Sequence, residues 1–189
     1  MSLSLNDERK RAPTPDAPQG AEIITLGAGC FWCTEAVFQQ LPGVLAATSG
    51  YMGGHVLNPS YEQICDGDTG HAEVTRIVYD PVKAPLEKVL DTFWKMHDPT
   101  TPDRQGADVG PQYRSAIFYE TEAQREAAEK SKAQAQGKFG SPIVTELAKA
   151  GVFYPAEQYH QDYYRLNKAR NPYCKIVIAP KLDKLGMEM

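Results

Sequence analysis

Apolar residues recur with two different periods along this chain, and the changes of period mark out its elements. The β-branched run Glu22-Ile23-Ile24-Thr25-Leu26 reads as a strand. It enters Gly27-Ala28-Gly29, a tight turn, after which Phe31, Trp32, Ala36, Val37 and Phe38 fall at the spacing of a helix ending near Gln40. Leu41-Pro42-Gly43 stops that helix. Residues 44–51 read as a second strand, closing at Gly50-Tyr51-Met52-Gly53-Gly54, and residues 72–79 alternate as a third. From 85 to 97, Leu86, Val89, Leu90, Phe93 and Trp94 form the stripe of an amphipathic helix, with Pro85 tolerated in its first turn. A strand at 115–119, a surface helix at 121–136, a strand at 143–147 and a short helix at 156–167 complete the series.

The order strand, helix, strand, strand, helix, strand is the split βαβ (ferredoxin-like) pattern. The chain is therefore expected to be α+β, a two-layer sandwich with additional helices and a long C-terminal coil. Residues 1–20 are polar, charged and proline-bearing and read as a mobile tail. Residues 21–189 read as one catalytic domain, whose own tail, residues 168–189, carries Cys174; Ile176-Val177-Ile178 is the one stretch there with strand character. Two segments, 52–70 and 98–113, show no sustained period. Loops of that length inside a compact domain are usually functional, and both join elements whose ends converge near Cys30.

Composition narrows the function classes. At 189 residues, 42% hydrophobic and 23% charged, the chain is an ordinary globular domain with enough core to fold without disulfides or metal. A net charge of −4 without a basic stripe argues against nucleic acid. No apolar run approaches the roughly 18 residues needed to span a bilayer, so no membrane contact is expected. The start of the chain lacks the apolar segment of a secretory signal, which points to the cytoplasm. The four cysteines, at 30, 33, 65 and 174, are too few for a disulfide scaffold, and thiols kept in a reducing compartment are often catalytic or metal-binding. Cys30 and Cys33 form a single knuckle, and His55, His71, His97 and His160 lack ligand spacing, so neither metal nor other cofactor is expected.

Cys30 carries the chemistry. It stands where a glycine turn meets a helix start, beside unpaired backbone N–H groups and the positive end of the helix dipole. An unperturbed thiol, with a pKa near about 8.5, is only about 3% ionised at pH 7; a fall of about two units makes it roughly three-quarters thiolate. The competing reading is a buried cysteine in a core helix.

The irregular segments carry Gly50-Tyr51-Met52-Gly53-Gly54, Asn58-Pro59-Ser60-Tyr61-Glu62, Gly70-His71-Ala72-Glu73-Val74, His97-Asp98-Pro99-Thr100, Arg104-Gln105-Gly106-Ala107-Asp108-Val109-Gly110 and Gln112-Tyr113-Arg114-Ser115. Together with Gly29-Cys30-Phe31-Trp32 and Tyr159-His160-Gln161-Asp162-Tyr163, they resemble, in order and spacing from about residue 22 to 181, the signature segments of the peptide methionine sulfoxide reductase A family. The resemblance implies thiol-dependent reduction of methionine S-sulfoxide, peptide-bound or free, with thioredoxin as reductant. It makes Cys30 the nucleophile, Phe31 and Trp32 the pocket for the substrate methyl group, Glu73, Tyr61 and Tyr113 the groups that bind and polarise the sulfoxide oxygen, and Asp108 a supporting carboxylate. Cys30 would pass through a sulfenic acid to an intramolecular disulfide.

Two positions depart from the commonest family pattern. Cys33 stands where many relatives have glycine, and Cys174 is the only C-terminal cysteine. A mobile tail can bring Cys174 to a sulfenic acid after product leaves, which favours it as the resolving thiol. Cys33, three residues along the same helix, is the alternative. A Cys-x-x-Cys dithiol–disulfide oxidoreductase that needs none of Glu73, Tyr61 and Tyr113 remains a competing class, as does a binding domain with inert thiols. Glu35, His71 and His160 read as structural, and Cys65 as a bystander.

Overall fold

Strand β1 (Glu22–Ala28) is buried from Ile24 onward and takes a central place because both its faces are covered. A computed structural model describes residues 14–189; most of the expected N-terminal tail lies outside the described residues. In chain order the elements are β1, α1 (Phe31–Gln39), β2 (Val44–Met52), α2 (Tyr61–Asp66), β3 (Ala72–Tyr79) and α3 (Leu86–Met96), then β4 (Arg104–Gln105), β5 (Asp108–Val109), β6 (Ser115–Tyr119) and α4 (Glu122–Gln136). Strands β7 (Glu146–Lys149) and β8 (Tyr154–Pro155) follow, then α5 (Tyr163–Asn167) and α6 (Ala179–Lys184). Six strands form one sheet in the order β7-β6-β1-β3-β2-β8, while β4 and β5 make a separate two-stranded ribbon. Strand β1 runs antiparallel to β3 and β6, β2 is antiparallel to β3 and β8, and β7 joins β6 in parallel, so the sheet is mixed and the architecture α+β.

Alternation along the strands separates two apolar layers. On one face Ile24, Leu26, Ile77 and Ile117 meet Val37 and Phe38 of α1, Leu90 and Phe93 of α3, and Ala128 of α4. On the other, Met52, Val74, Ala116 and Phe118 are covered by Ala148, Ala150 and Phe153. The stripe expected on α3 is buried, with Pro85 as its N-cap residue. Helix α4 starts at Thr121, whose hydroxyl accepts from the Gln124 N–H, and shows mainly alanine to the core.

The C-terminal expectation needs correcting. Residues 174–178 form a π-helical turn running directly into α6, where a coil was expected. Cys174, Ile178 and Leu182 recur every four residues, and all three are fully buried in the same core as α1. Hydrophobic burial holds the segment down. The irregular segments also gain structure: α2 lies within 52–70, and the β4–β5 ribbon and a 3-10 turn at Pro111–Tyr113 within 98–113. The single helix expected over 156–167 divides into a 3-10 turn, Gln158–His160, and the short α5, separated where Asp162 takes a left-handed φ of 53°.

Truncating Leu182 tests the docked C-terminus. Leu182→Ala should cost about 2–5 kcal/mol of stability, read from urea denaturation monitored by circular dichroism; a coil tail would lose almost nothing.

Candidate active site

The site is assembled where β1 ends. Gly29 takes φ +91°, open chiefly to glycine, and any Cβ there would press on the Gln105 side chain at 2.8 Å. The chain can then turn directly into α1 with Cys30 as its N-cap residue. The register of β1 on β3, with Leu26 opposite Thr75, carries Glu73 alongside this turn. The Phe31 N–H donates to Glu73 Oε2 at 3.1 Å, one of the orphan donors of the helix start. Glu73 is 2% exposed, and burial pushes its carboxyl up to about 8 despite that hydrogen bond. It is a neutral acid at pH 7.

This arrangement overturns the expectation of a thiolate at Cys30. The Phe31 N–H is already engaged by Glu73, leaving the Trp32 N–H as the backbone group that favours ionised sulfur. Burial and the hydrogen bond to Cys33 outweigh it, with Glu73 adding to the shift once it is ionised, and hold the Cys30 thiol well above its ordinary value. Cys33, fully buried, is shifted downward, first because Cys30 donates to it. Lys181 of α6 and the Tyr173 hydroxyl act on Cys33 in the same direction.

Tyr61 begins α2, whose start is fixed by a reciprocal capping box between Ser60 and Gln63. Tyr113 ends the 3-10 turn after Gly110. Burial raises both hydroxyls above the usual tyrosine value, and Glu73 adds to the shift of each once it is ionised. Two phenol donors and one protonated carboxyl therefore share a half-buried space beside Cys30. Asp108 sits on the β4–β5 ribbon and accepts from the Tyr173 hydroxyl at 2.8 Å. Phe31 is buried against Tyr51 and His160, with ring centroids 5.7 and 5.1 Å apart. Trp32 stacks on Tyr163 at 3.7 Å, meets Tyr173 edge-on at 5.8 Å, and donates its indole N–H to His160 Nδ1 at 3.1 Å.

A family model described as peptide methionine sulfoxide reductase matches residues 22–189. Peptide methionine sulfoxide reductase MsrA 1 of Rhodopirellula baltica is 52% identical over 170 residues, 88% of this chain and 86% of that protein. The chain belongs to the peptide methionine sulfoxide reductase family. Among solved structures, reduced Mxr1 of Saccharomyces cerevisiae matches with a TM-score of 0.80 at 35% identity, covering 85% of this reductase and 92% of that chain. Mxr1 in complex with Trx2 matches at 0.58 and 26% identity, covering 79% and 90%.

In this member of the peptide methionine sulfoxide reductase family, Cys30, Phe31, Trp32, Glu73, Tyr61, Tyr113 and Asp108 converge on the start of α1, and Cys33 lies directly beneath. Cys174 is close by but fully buried, so the premise of a mobile carrier does not hold. Cys65 is exposed, one turn after Tyr61, and shares a hydrogen bond with the Tyr61 hydroxyl. Tyr173 was not anticipated; its place directly before Cys174 was the only signal. Glu35, read as structural, accepts from Ser49 Oγ at 2.7 Å and the Asp162 N–H at 2.5 Å, tying α1 to β2 and to the segment that carries His160 and Tyr163. Burial pushes its carboxyl up to about 7.

Raised carboxyls give stability a definite pH dependence. Unfolded, Glu35 and Glu73 ionise near 4.5; folded, they keep their protons to about 7 and about 8. Their contribution is complete below the unfolded value and is lost as pH rises through the folded ones. The urea midpoint should fall between about pH 5 and about pH 9, and fall less in Glu73→Gln. An identical decline in the variant would show that Glu73 ionises as freely folded as unfolded.

Proposed function

We propose that this reductase converts methionine S-sulfoxide, in peptides or as the free amino acid, to methionine, with Cys30 as nucleophile and Glu73 as proton donor. The observation that carries the reading is the neutral Glu73 carboxyl, buried at the Cys30 turn and faced by two phenols. A sulfoxide sulfur is a poor electrophile until its oxygen is protonated or strongly hydrogen-bonded. Phe31 and Trp32 hold the methyl group, Tyr61 and Tyr113 bind the oxygen, and Glu73 supplies the proton. As the Cys30 sulfur attacks, its own proton replaces the one Glu73 gave up, so the thiol and sulfoxide become a sulfenic acid and methionine with no net gain or loss of protons. Asp108 supports the site from the ribbon through Tyr173.

The Mxr1 complex with Trx2 supports a thioredoxin-class dithiol protein as reductant, and methionine-sulfoxide-containing proteins or the free amino acid as the other partners. Four free thiols fit a reducing, cytoplasmic setting. The antiparallel run β6-β1-β3-β2 with α1 and α3 supports reading the core as split βαβ. The hydrogen bond between Cys30 and Cys33 favours a second reading, plain dithiol–disulfide exchange, in which Glu73 and the phenols would be idle.

One assay separates the two: methionine S-sulfoxide with dithiothreitol, against the R-epimer and insulin disulfides. Consumption of the S-epimer alone supports the proposal; insulin reduction without it supports the exchange reading. Cys30→Ser should abolish methionine formation with the fold intact, and full turnover in that variant would remove Cys30 from its role.

Glu73→Gln keeps a donor but loses the acid, and should slow single-turnover methionine formation about 10²–10⁴-fold. In the wild type that step should decline as pH rises through about 8, where Glu73 loses its proton, and the variant should lack this decline. Tyr61→Phe and Tyr113→Phe should each cost less than the double change costs beyond their sum.

A further inference from the structure

Four consecutive residues, His160-Gln161-Asp162-Tyr163, divide their contacts between Trp32 and the core beneath it. The outer two hold Trp32: His160 Nδ1 accepts its indole N–H at 3.1 Å, and the Tyr163 ring stacks on it with centroids 3.7 Å apart. The inner two fasten the segment down. Gln161 accepts from the Ser49 N–H at 3.0 Å and donates to the Ser49 carbonyl at 2.9 Å, docking on β2 like one more backbone unit. The Asp162 N–H donates to Glu35 Oε1 at 2.5 Å. Asp162 does so at a φ of 53°, which a residue with a side chain keeps only where its surroundings over-determine it.

Glu35 is the buried end of this fastening. Its Oε1 takes a second N–H from Gln39 at 3.0 Å, so the acid proton sits on Oε2, against the Ser49 hydroxyl at 2.7 Å. The same Gln39 amide donates to Asp162 Oδ1 at 2.7 Å. Loss of the Glu35 proton would put two carboxylates on one amide nitrogen, one of them with almost no water around it. Nothing in the reduction step uses this carboxyl.

We propose that Glu35 is a positioning residue for the substrate pocket: protonated, it clamps the 160–163 segment so that His160 and Tyr163 hold Trp32 in place for the substrate methyl group, and ionised, it lets that segment and Trp32 loosen. The inference rests on the reading of Phe31 and Trp32 as the methyl pocket.

The groups around Glu35 fit a clamp that opens on proton loss. Burial is the main cause that raises its carboxyl to about 7; the Ser49 hydroxyl and the Asp162 N–H oppose it, the Asp162 charge adds to it, and Arg165 opposes it. Arg165 also pairs with Asp162 at 3.2 Å. Strand β2 thus faces Glu35 with the Ser49 hydroxyl, α1 with its own Gln39 amide, and α5 with one charge of each sign. Cys33 and Glu35, two residues apart, point to opposite sides of α1, and Lys181 of α6 acts on the Cys33 side. Between about pH 6 and about pH 8 Glu35 goes from mostly neutral to mostly ionised. Glu73 titrates nearby, toward about 8, so the two steps are separated by substitution.

The test reads Trp32 directly. Trp94→Phe removes the second tryptophan, and in that background Trp32 emission is followed from about pH 5 to about pH 9. Emission should move to longer wavelength with a midpoint near about 7 as Trp32 gains water. Glu35→Gln keeps the hydrogen-bond pattern of the neutral acid, its oxygen toward Asp162 and its nitrogen toward Ser49, and should abolish that step. In single-turnover methionine formation, Glu35→Ala should raise the half-saturating concentration of methionine S-sulfoxide by at least about tenfold with a much smaller change in the rate at saturation, and Glu35→Gln should restore it. Should the alanine variant fold poorly, wild type against Glu35→Gln carries the same test: half-saturation should rise through about pH 7 in the first and stay level in the second. An emission step near pH 7 that is missing in the wild type or identical in Glu35→Gln overturns the clamp, as does an unchanged half-saturating concentration in a folded Glu35→Ala. If no form yields methionine, the reductase reading fails, and the emission step alone still decides the clamp.

Discussion

The hydrogen bond from the Phe31 N–H to Glu73 is the constraint on which the site depends. It joins a helix start to the middle strand of the sheet and sets a carboxyl beside a thiol in a place with almost no water. Two negative charges so close, and so buried, are mutually unfavourable, and both groups keep their protons. The helix terminus, which by itself favours anions, is outweighed by desolvation. A resting pair of neutral acids is well suited to a substrate that must be protonated as it is attacked, because the proton and the nucleophile are already side by side.

Around that pair, positions are fixed by side chains far away in sequence. Trp32 is held by His160, Tyr163 and Tyr173, all from the C-terminal third of the chain. Glu35 anchors the segment carrying two of them to the helix that carries Trp32. Asn171 holds the third, accepting from the Tyr173 N–H at 2.9 Å and donating to the Tyr163 hydroxyl at 2.6 Å. Residues late in the chain thus hold Trp32 against a helix start that the first strand and helix provide.

The strands and the long helices were legible in the sequence because each has a sustained period and clear stops, as at Leu41-Pro42-Gly43. The convergence on Cys30 was legible as a resemblance. Missed features share a physical cause: they depend on contacts between distant segments. Nothing local announces that Glu73 will take the Phe31 N–H, so the ionisation of Cys30 was read with the wrong sign. The C-terminal helix was overlooked because its apolar positions, Cys174, Ile178 and Leu182, are separated by lysines and a proline, and a cysteine was read for its chemistry instead of its burial. Tyr173 had the same fault: beside a reactive-looking residue, it was not weighed for its own contacts.

Cys65 has a practical consequence for anyone probing this enzyme with electrophiles. Among the four thiols it is the exposed one, and its hydrogen-bond partner is Tyr61. A bulky adduct on it would disturb Tyr61, the phenol proposed to bind the substrate oxygen, while the buried Cys30 stayed untouched. Inactivation by a thiol reagent would then report a disturbed Tyr61, and the residue carrying the label would not be the proposed nucleophile.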